Sequence, residues 1–196
     1  MTLASLGLDV PTPDESRARI LLGMSSLRRA KPASDPKGKA AVRIRAALAG
    51  DAEVVKRLRM QADGAHARLL PDYFREPSPG EVAVVASEAP VVLVAVEGEG
   101  EGEVVVGYVA LRLVDTPRDP TVTPRRRVHV EIVAVDEGRR RRGVGTALMR
   151  GAADWAKQRG AAELVLTVWA DNRAAAALYR GLGYEPIARV LRRKID

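Results

Sequence analysis

The chain has 196 residues, no cysteine, two histidines and a formal net charge of +7. That length fits one domain with an extension and is enough to bury a full core, while the lack of cysteine excludes a disulfide frame, a thiolate metal site and a thiol nucleophile. The apolar runs are far too short to span a bilayer and the N-terminus lacks a charged segment followed by an apolar core, so the expectation is a cytoplasmic protein with no membrane partner.

Residues 1–40 read as an N-terminal extension and linker. Within them Thr12-Pro13-Asp14-Glu15 has the form of a helix start, with Thr12 as N-cap and Glu15 as its capping-box partner. A domain over 41–196 follows. Val42-Arg43-Ile44-Arg45 alternates like a first strand. Asp51 is placed to cap a helix running to about Ala67, with Val54, Val55, Leu58 and Met60 among its apolar residues. The stretch 66–77 holds the only phenylalanine, Phe74, beside Tyr73; residues 81–87 have the makings of a short helix. Strands over 91–96 and 104–114 flank a Glu-Gly-rich tip, 97–103, which reads as a polar hairpin end. Gly107, inside the second of these strands, marks a bulge or a close backbone approach. Residues 115–123, with Pro117 and Pro120, are a loop.

The next strand, about 129–135, is apolar on both faces. Simple alternation puts His129, Glu131, Val133 and Val135 on one side and Val130, Ile132 and Ala134 on the other. A turn with four arginines, Arg139, Arg140, Arg141 and Arg142, leads through Gly143-Val144-Gly145 into a helix. Val144, Leu148, Ala152 and Trp155 form that helix's apolar stripe, and Gly160 stops it. A strand over 163–169 follows, then Asn172 as N-cap of an Ala-rich helix and a last strand over 186–193.

A strand that runs through a glycine turn into a helix is a trap for phosphate. The first helical turn leaves backbone N–H groups without partners, the dipole adds partial positive charge, and glycine lets the anion approach the backbone. The four arginines add charge and donors. A P-loop is excluded because no Gly-Lys-Ser/Thr follows. A dinucleotide site fails because Leu148 stands where a third small residue is needed, and Glu163 opens a strand rather than ending one. The net charge raises nucleic acid as a ligand. Most of the excess, however, is accounted for by the phosphate turn, by Arg125 to Arg127 and by Arg192, Arg193 and Lys194 at the end. Nucleic-acid binding is the weaker reading.

Two signatures carry a resemblance. Arg140-Arg141-Arg142-Gly143-Val144-Gly145 fits Arg/Gln-x-x-Gly-x-Gly/Ala. Asn172, Ala175, Tyr179, Gly183 and Tyr184 fit Asn-x-x-Ala, a tyrosine four further on, then glycine and an aromatic. Together, in this order and with a helix and a strand between them, they resemble the GNAT superfamily of acetyl-CoA-dependent N-acetyltransferases. The likeness is sharp over about 128–186 and looser over 42–115. It departs at Arg141, where many members have glycine.

The resemblance implies an α/β (α+β) fold with a mixed, mostly antiparallel sheet, helices on both faces, and a splay between two central parallel strands. It implies acetyl-CoA as acetyl donor, with its pantetheine arm on the backbone of Val133, Ala134 and Val135 and its pyrophosphate on the turn Arg140, Arg141, Arg142, Gly143, Val144, Gly145 and Thr146. Asn172 lies at the mouth of the splay. Tyr179 is implied as the acid that protonates the leaving thiolate. For the base that frees the amine, Glu131 comes first, with pairing to Arg112 as its structural alternative, and His129 second. No metal is expected, with two histidines and no cysteine. The implied activity is transfer of the acetyl group to a primary amine, on a small molecule or a peptide, by direct attack. The rival classes are an acyl-CoA sensor without turnover and a basic nucleic-acid-binding module. A homodimer is left open, as are the acceptor's identity and the role of 1–40.

Overall fold

A computed structural model describes residues 42–78, 91–116, 121 and 123–195. The extension over 1–40, the short helix expected over 81–87 and most of the proline loop over 115–123 lie outside the described residues.

Five strands form one sheet in chain order: β1 (Arg43–Ala46), β2 (Val91–Glu97), β3 (Val104–Asp115), β4 (Arg126–Val135) and β5 (Glu163–Leu166). Neighbours are antiparallel except β4 and β5, which run parallel. Three helices accompany them: α1 (Ala52–Leu69), α2 (Val144–Gln158) and α3 (Arg173–Gly181). The parallel pair needs a crossover, and α2 supplies it.

Alternation along the strands divides the core in two. On one face Leu93, Ala95, Val109, Leu111, Val128 and Val130 pack against Val144, Leu148, Ala152 and Trp155, the predicted stripe of α2. On the other, Val94, Val96, Tyr108, Ala110 and Ala134 pack against Val55 and Leu58 of α1. The Tyr108 hydroxyl sits against Arg59 of α1, and burial pushes its pKa well above the usual range.

Two bulges adjust this pattern. On β3, Ala95 pairs with Gly107 and Val96 with Val105, so Val106 is an extra residue. The bulge lets Gly107 pass under α2. A Cβ there would stand 2.9 Å from the Ala134 carbonyl oxygen and 3.2 Å from a Val144 methyl. On β4, Leu111 pairs with Val130 but Ala110 with Ile132, which leaves Glu131 as the extra residue.

Several boundaries differ from the sequence reading. Asp51 does precede α1, but its carboxylate turns back to the Leu48 N–H at 2.7 Å and to Arg45 at 2.6 Å, and it does not cap the helix. β5 ends at Leu166, three residues early. The expected last strand is not formed: residues 186–193 pair with no strand and leave Ile187 and Leu191 63% and 90% exposed. Alternation supplies strand propensity, but a ladder needs a partner edge. Here Arg192 and Lys194 reach Asp72 instead, at 4.0 and 3.2 Å.

Candidate active site

The site is built where β4 outruns β5. The two pair from Arg127↔Glu163 to Val130↔Leu166 and no further, whereas β4 stays paired with β3 as far as Val135↔Gly107. Beyond Val130, β4 therefore has a neighbour on one side only. The Asp136 N–H donates to the Val106 carbonyl at 2.9 Å. Counting back by two, Ala134 turns its amide and carbonyl toward β3, and Val133 and Val135 turn theirs into the gap. The close approach of the Ala134 oxygen to Gly107 agrees with this direction. The Arg140 guanidinium donates to the Val135 carbonyl at 3.3 Å. The Val133 N–H and carbonyl and the Val135 N–H have no backbone partner among the described residues, an unsatisfied edge that requires something to pair with.

The arginine turn abuts that edge. Asp136 starts it by accepting from the Gly138 N–H at 3.1 Å. Arg141 then takes φ 62°, the left-handed conformation that glycine adopts freely, and Gly143 takes φ 86° as N-cap of α2. The departure from glycine at position 141 is thus accommodated by strain in an arginine, not by another turn. The first intrahelical bond runs from the Ala147 N–H to the Gly143 carbonyl at 2.9 Å. The amides of Val144, Gly145 and Thr146 are left pointing out of the helix end. Gly145 brings this turn against its neighbours: a Cβ there would lie 3.2 Å from Leu178 of α3 and 3.9 Å from Val135 of β4.

The four arginines divide their work. Arg139 is tied to Glu97 at the end of β2, at 2.9 Å. Arg140 holds Val135 and stands 3.4 Å from Glu137. Arg141 and Arg142 are exposed and make no ion pair among the described residues, so theirs is the charge available to an anion. The turn is also braced from α1, where Gln61 accepts from the Glu137 N–H at 3.3 Å and Arg68 approaches Glu137 at 3.5 Å.

The bulge at Glu131 overturns the expected grouping of side chains. Val133 and Val135 pack on the α2 face, with Val128 and Val130. Glu131 instead meets Arg112, at 2.7 Å, on the α1 face, where Arg112 is also the register partner of His129. An extra residue shifts the phase of alternation, so positions before and after it exchange faces. The Arg112 pairing uses Oε1 of Glu131; Oε2 is buried without a hydrogen-bond partner. Glu131 is the first residue of β4 past the last β4–β5 pair.

Tyr179 approaches from the opposite face. It packs against the α2-side core, with its ring 5.7 Å from that of Tyr184. Burial raises the Tyr179 pKa, and burial together with Tyr179 pushes Tyr184 up to about 12. Both phenols are therefore protonated at neutral pH. Asn172 caps α3, its side-chain oxygen accepting from the Ala175 N–H at 3.1 Å.

The model of the acetyltransferase (GNAT) family matches residues 58–184, which take in the split parallel pair and the glycine-capped helix end. The chain belongs to the GNAT family. Among solved structures, a variant of the BH1408 protein from Bacillus halodurans is 30% identical, with a TM-score of 0.67 over 78% of this chain and 98% of that one. Streptothricin acetyltransferase from Streptomyces lavendulae is 43% identical over 58 residues, 30% of this chain and 31% of that protein. The [ribosomal protein bS18]-alanine N-acetyltransferase of Escherichia coli K12 is 46% identical over 52 residues, 26% of this chain and 35% of that protein. The chain thus spans about a third of the length of these two curated relatives.

Sequence reasoning missed one ring cluster. Trp169, read as the end of a strand, lies past β5 and packs edge-on against Phe74 at 5.2 Å and tilted against Tyr73 at 5.0 Å. The signal available was a tryptophan between the apolar run ending at Val168 and the polar Asp171-Asn172, which strand propensity absorbed.

Proposed function

We propose that the protein transfers the acetyl group of acetyl-CoA to a primary amine by direct attack within a ternary complex. The observation that carries this is the unpaired Val133 N–H and carbonyl and Val135 N–H, followed along the chain by the free amides of Val144, Gly145 and Thr146. An extended amide-bearing arm ending in a pyrophosphate matches both in order and in chemistry: its amides pair with the strand edge, and its phosphates meet the helix end. Arg140 holds the turn to β4, Arg141 and Arg142 supply charge to the phosphates, and Gly143 gives them room. Ala134 contributes no backbone group, because its amide faces β3; Val133 and Val135 carry that role. Asn172 fixes the start of α3 and hence Tyr179.

Catalysis then falls to groups flanking the gap. Glu131 Oε2, buried and unpartnered, takes a proton from the incoming ammonium, directly or through water, while Arg112 holds Oε1 and orients the carboxylate. The neutral amine attacks the thioester carbonyl; the C–N bond forms and the C–S bond breaks. The Val133 N–H, aimed into the gap, donates to the oxyanion. Tyr179, kept protonated by burial, gives its proton to the departing thiolate, and the proton shed by the acylated nitrogen restores the phenol through water. His129 stays on the α1 face as a neighbour of Arg112 and takes no step.

Initial-rate lines at varied acetyl-CoA and amine should intersect. Parallel lines, with an acetylated enzyme detected by mass spectrometry after acetyl-CoA alone, would overturn the mechanism. Acetyl-CoA binding without turnover of any amine would favour a sensor.

A further inference from the structure

The arginine turn holds one residue in an unfavourable conformation, and its surroundings show what keeps it there. Among the described residues Arg141 is the one non-glycine with positive φ, at 62°. A residue with a Cβ stays left-handed only where its neighbours over-determine it. On its C-terminal side the anchor is α2, whose Val144 and Leu148 are buried in the core. On its N-terminal side, residues 136–140 are tethered to three other elements. The Val106 carbonyl of β3 accepts from the Asp136 N–H at 2.9 Å. From α1, Gln61 accepts from the Glu137 N–H at 3.3 Å, and Arg68 stands 3.5 Å from the Glu137 carboxylate. The tether from β2 is Glu97, whose Oε2 lies 2.9 Å from Arg139 Nε.

Glu97 is the strongest of these side-chain tethers. Its side chain is 18% exposed, against 52% and 61% for Glu137 and Arg68, so solvent screens its ion pair less. It also stands on a fixed base. Glu97 ends β2 opposite Val104, and the neighbouring Glu103 is held by Arg43 and, at 2.6 Å, by Arg45 of β1. The hairpin between them is tight: a Cβ on Gly98 would stand 2.5 Å from the Gly102 carbonyl oxygen. Charge alone gives no reason for the residue. The acidic groups at the turn are Glu97, Asp136 and Glu137. Asp136 accepts from the Gly138 N–H, and Glu137 faces Arg68 and Arg140. A further carboxylate here repels an anion and engages one of the four arginines, so what Glu97 contributes to a phosphate turn is geometry.

We infer that Glu97 is a positioning residue for the acetyl donor: by holding Arg139 it keeps Arg141 left-handed and the amides that follow set to receive phosphate. This rests on the reading of the turn as the acetyl-CoA pyrophosphate site. The effect is on the fraction of molecules whose turn is competent to bind. Loss of one part-buried ion pair lowers that fraction, and with it CoA affinity, by roughly 3- to 10-fold. With glycine at position 141 the left-handed conformation needs no support, so the same loss should cost less than about 2-fold.

The test is a double-mutant cycle read by calorimetric titration of CoA into the wild type, Glu97→Ala, Arg141→Gly and the double variant, with thermal unfolding of each. Glu97→Ala should weaken CoA by roughly 3- to 10-fold, and the Arg141→Gly background should remove most of that loss. Arg141→Gly deletes a charge of its own; that cost is common to both members of its pair, so the cycle cancels it. If Glu97→Ala does not fold, Glu97→Gln, which removes the charge and keeps the side-chain length, carries the same comparison. A purely electrostatic role has the opposite sign, since deleting a carboxylate beside an anion site strengthens binding. Tighter or unchanged CoA binding in the folded Glu97 variant would therefore overturn the inference, as would an equal loss in both backgrounds. A wild type that binds no CoA, or a folded Gly143→Asp that binds it unchanged, would remove the phosphate turn and this inference together. Wild-type affinity in every Glu97 variant, with Gly143→Asp impaired, would remove the inference alone.

Discussion

Gly143 separates backbone geometry from charge in a single position. Its φ of 86° and ψ of −2° are left-handed, yet a Cβ there would meet nothing within 4 Å. Gly143→Ala is therefore charged only for conformation, about 1–2 kcal/mol for an L-residue in this region. Roughly 0.4–1 kcal/mol is recovered, because alanine restricts the unfolded chain. The net is about 1 kcal/mol, or a fall in Tm of about 2–4 °C for a chain of this size. Gly143→Asp carries a similar or smaller backbone cost, since aspartate tolerates this region better. It also places a negative charge among the free amides of the α2 N-terminus. A phosphate at about 5 Å would be repelled by about 3 kcal/mol at an effective dielectric constant near 20, and by less than 1 kcal/mol in bulk water. The site is solvent-facing, so the expected loss of CoA affinity lies between, at about 10- to 100-fold. Raising the salt should shrink that loss, because exposed charges are screened. Calorimetric titration with CoA at two ionic strengths, beside thermal unfolding of both variants, reads each quantity separately. Unchanged CoA affinity in a folded Gly143→Asp would refute the phosphate turn. Equal weakening by alanine and aspartate would assign the effect to backbone distortion.

Four further outcomes are expected. Tyr179→Phe should keep acetyl-CoA affinity and lower turnover by roughly 100-fold, and the wild-type pH–rate profile should show no loss assignable to this phenol below about pH 10, since burial raises its pKa; wild-type turnover in the variant would leave Tyr179 a packing residue. Glu131→Gln keeps a hydrogen-bond acceptor for Arg112 but loses the base, so kcat should fall roughly 100-fold with little change in Tm; a large Tm loss with kcat intact would make the residue structural. Gly107→Ala forces a Cβ to within 2.9 Å of the Ala134 carbonyl, and overpacking of this kind costs about 1–3 kcal/mol, measurable as a lowered urea midpoint; an unchanged midpoint would contradict the close approach. At low pH the Arg45 cluster should fail: burial alone would raise the Asp51 pKa, but the bonds from Arg45 and the Leu48 N–H hold it below the ordinary carboxylate value, and Glu103 behaves likewise. Both pKa values are depressed on folding, so their stabilisation is complete above about pH 5 and is lost as pH falls through the folded values; Asp51→Asn should flatten that part of the acid-unfolding curve.

Local chemistry made much of this protein readable from its residues. The stripe Val144, Leu148, Ala152 and Trp155 is buried as its spacing requires, Asn172 caps α3, and Gly107 sits at a bulge because no other residue fits beneath α2. The two signatures sufficed for the family because each encodes backbone geometry that few sequences supply together. What periodicity could not encode was register. The extra residue at Glu131 reverses the alternation on β4, so the carboxylate leaves the face of Val133 and Val135 and meets Arg112 instead. Nor does pattern fix partners. Residues 186–193 alternate like a strand but find no edge, and Asp51 has a capping position but is claimed by Arg45. The point at which β5 leaves β4, the left-handed turn forced on Arg141, and the meeting of Tyr73, Phe74 and Trp169 all depend on segments far apart in the chain. Each is set by which groups remain to be paired once the sheet has formed, and that is a property of the assembled structure rather than of any stretch of sequence.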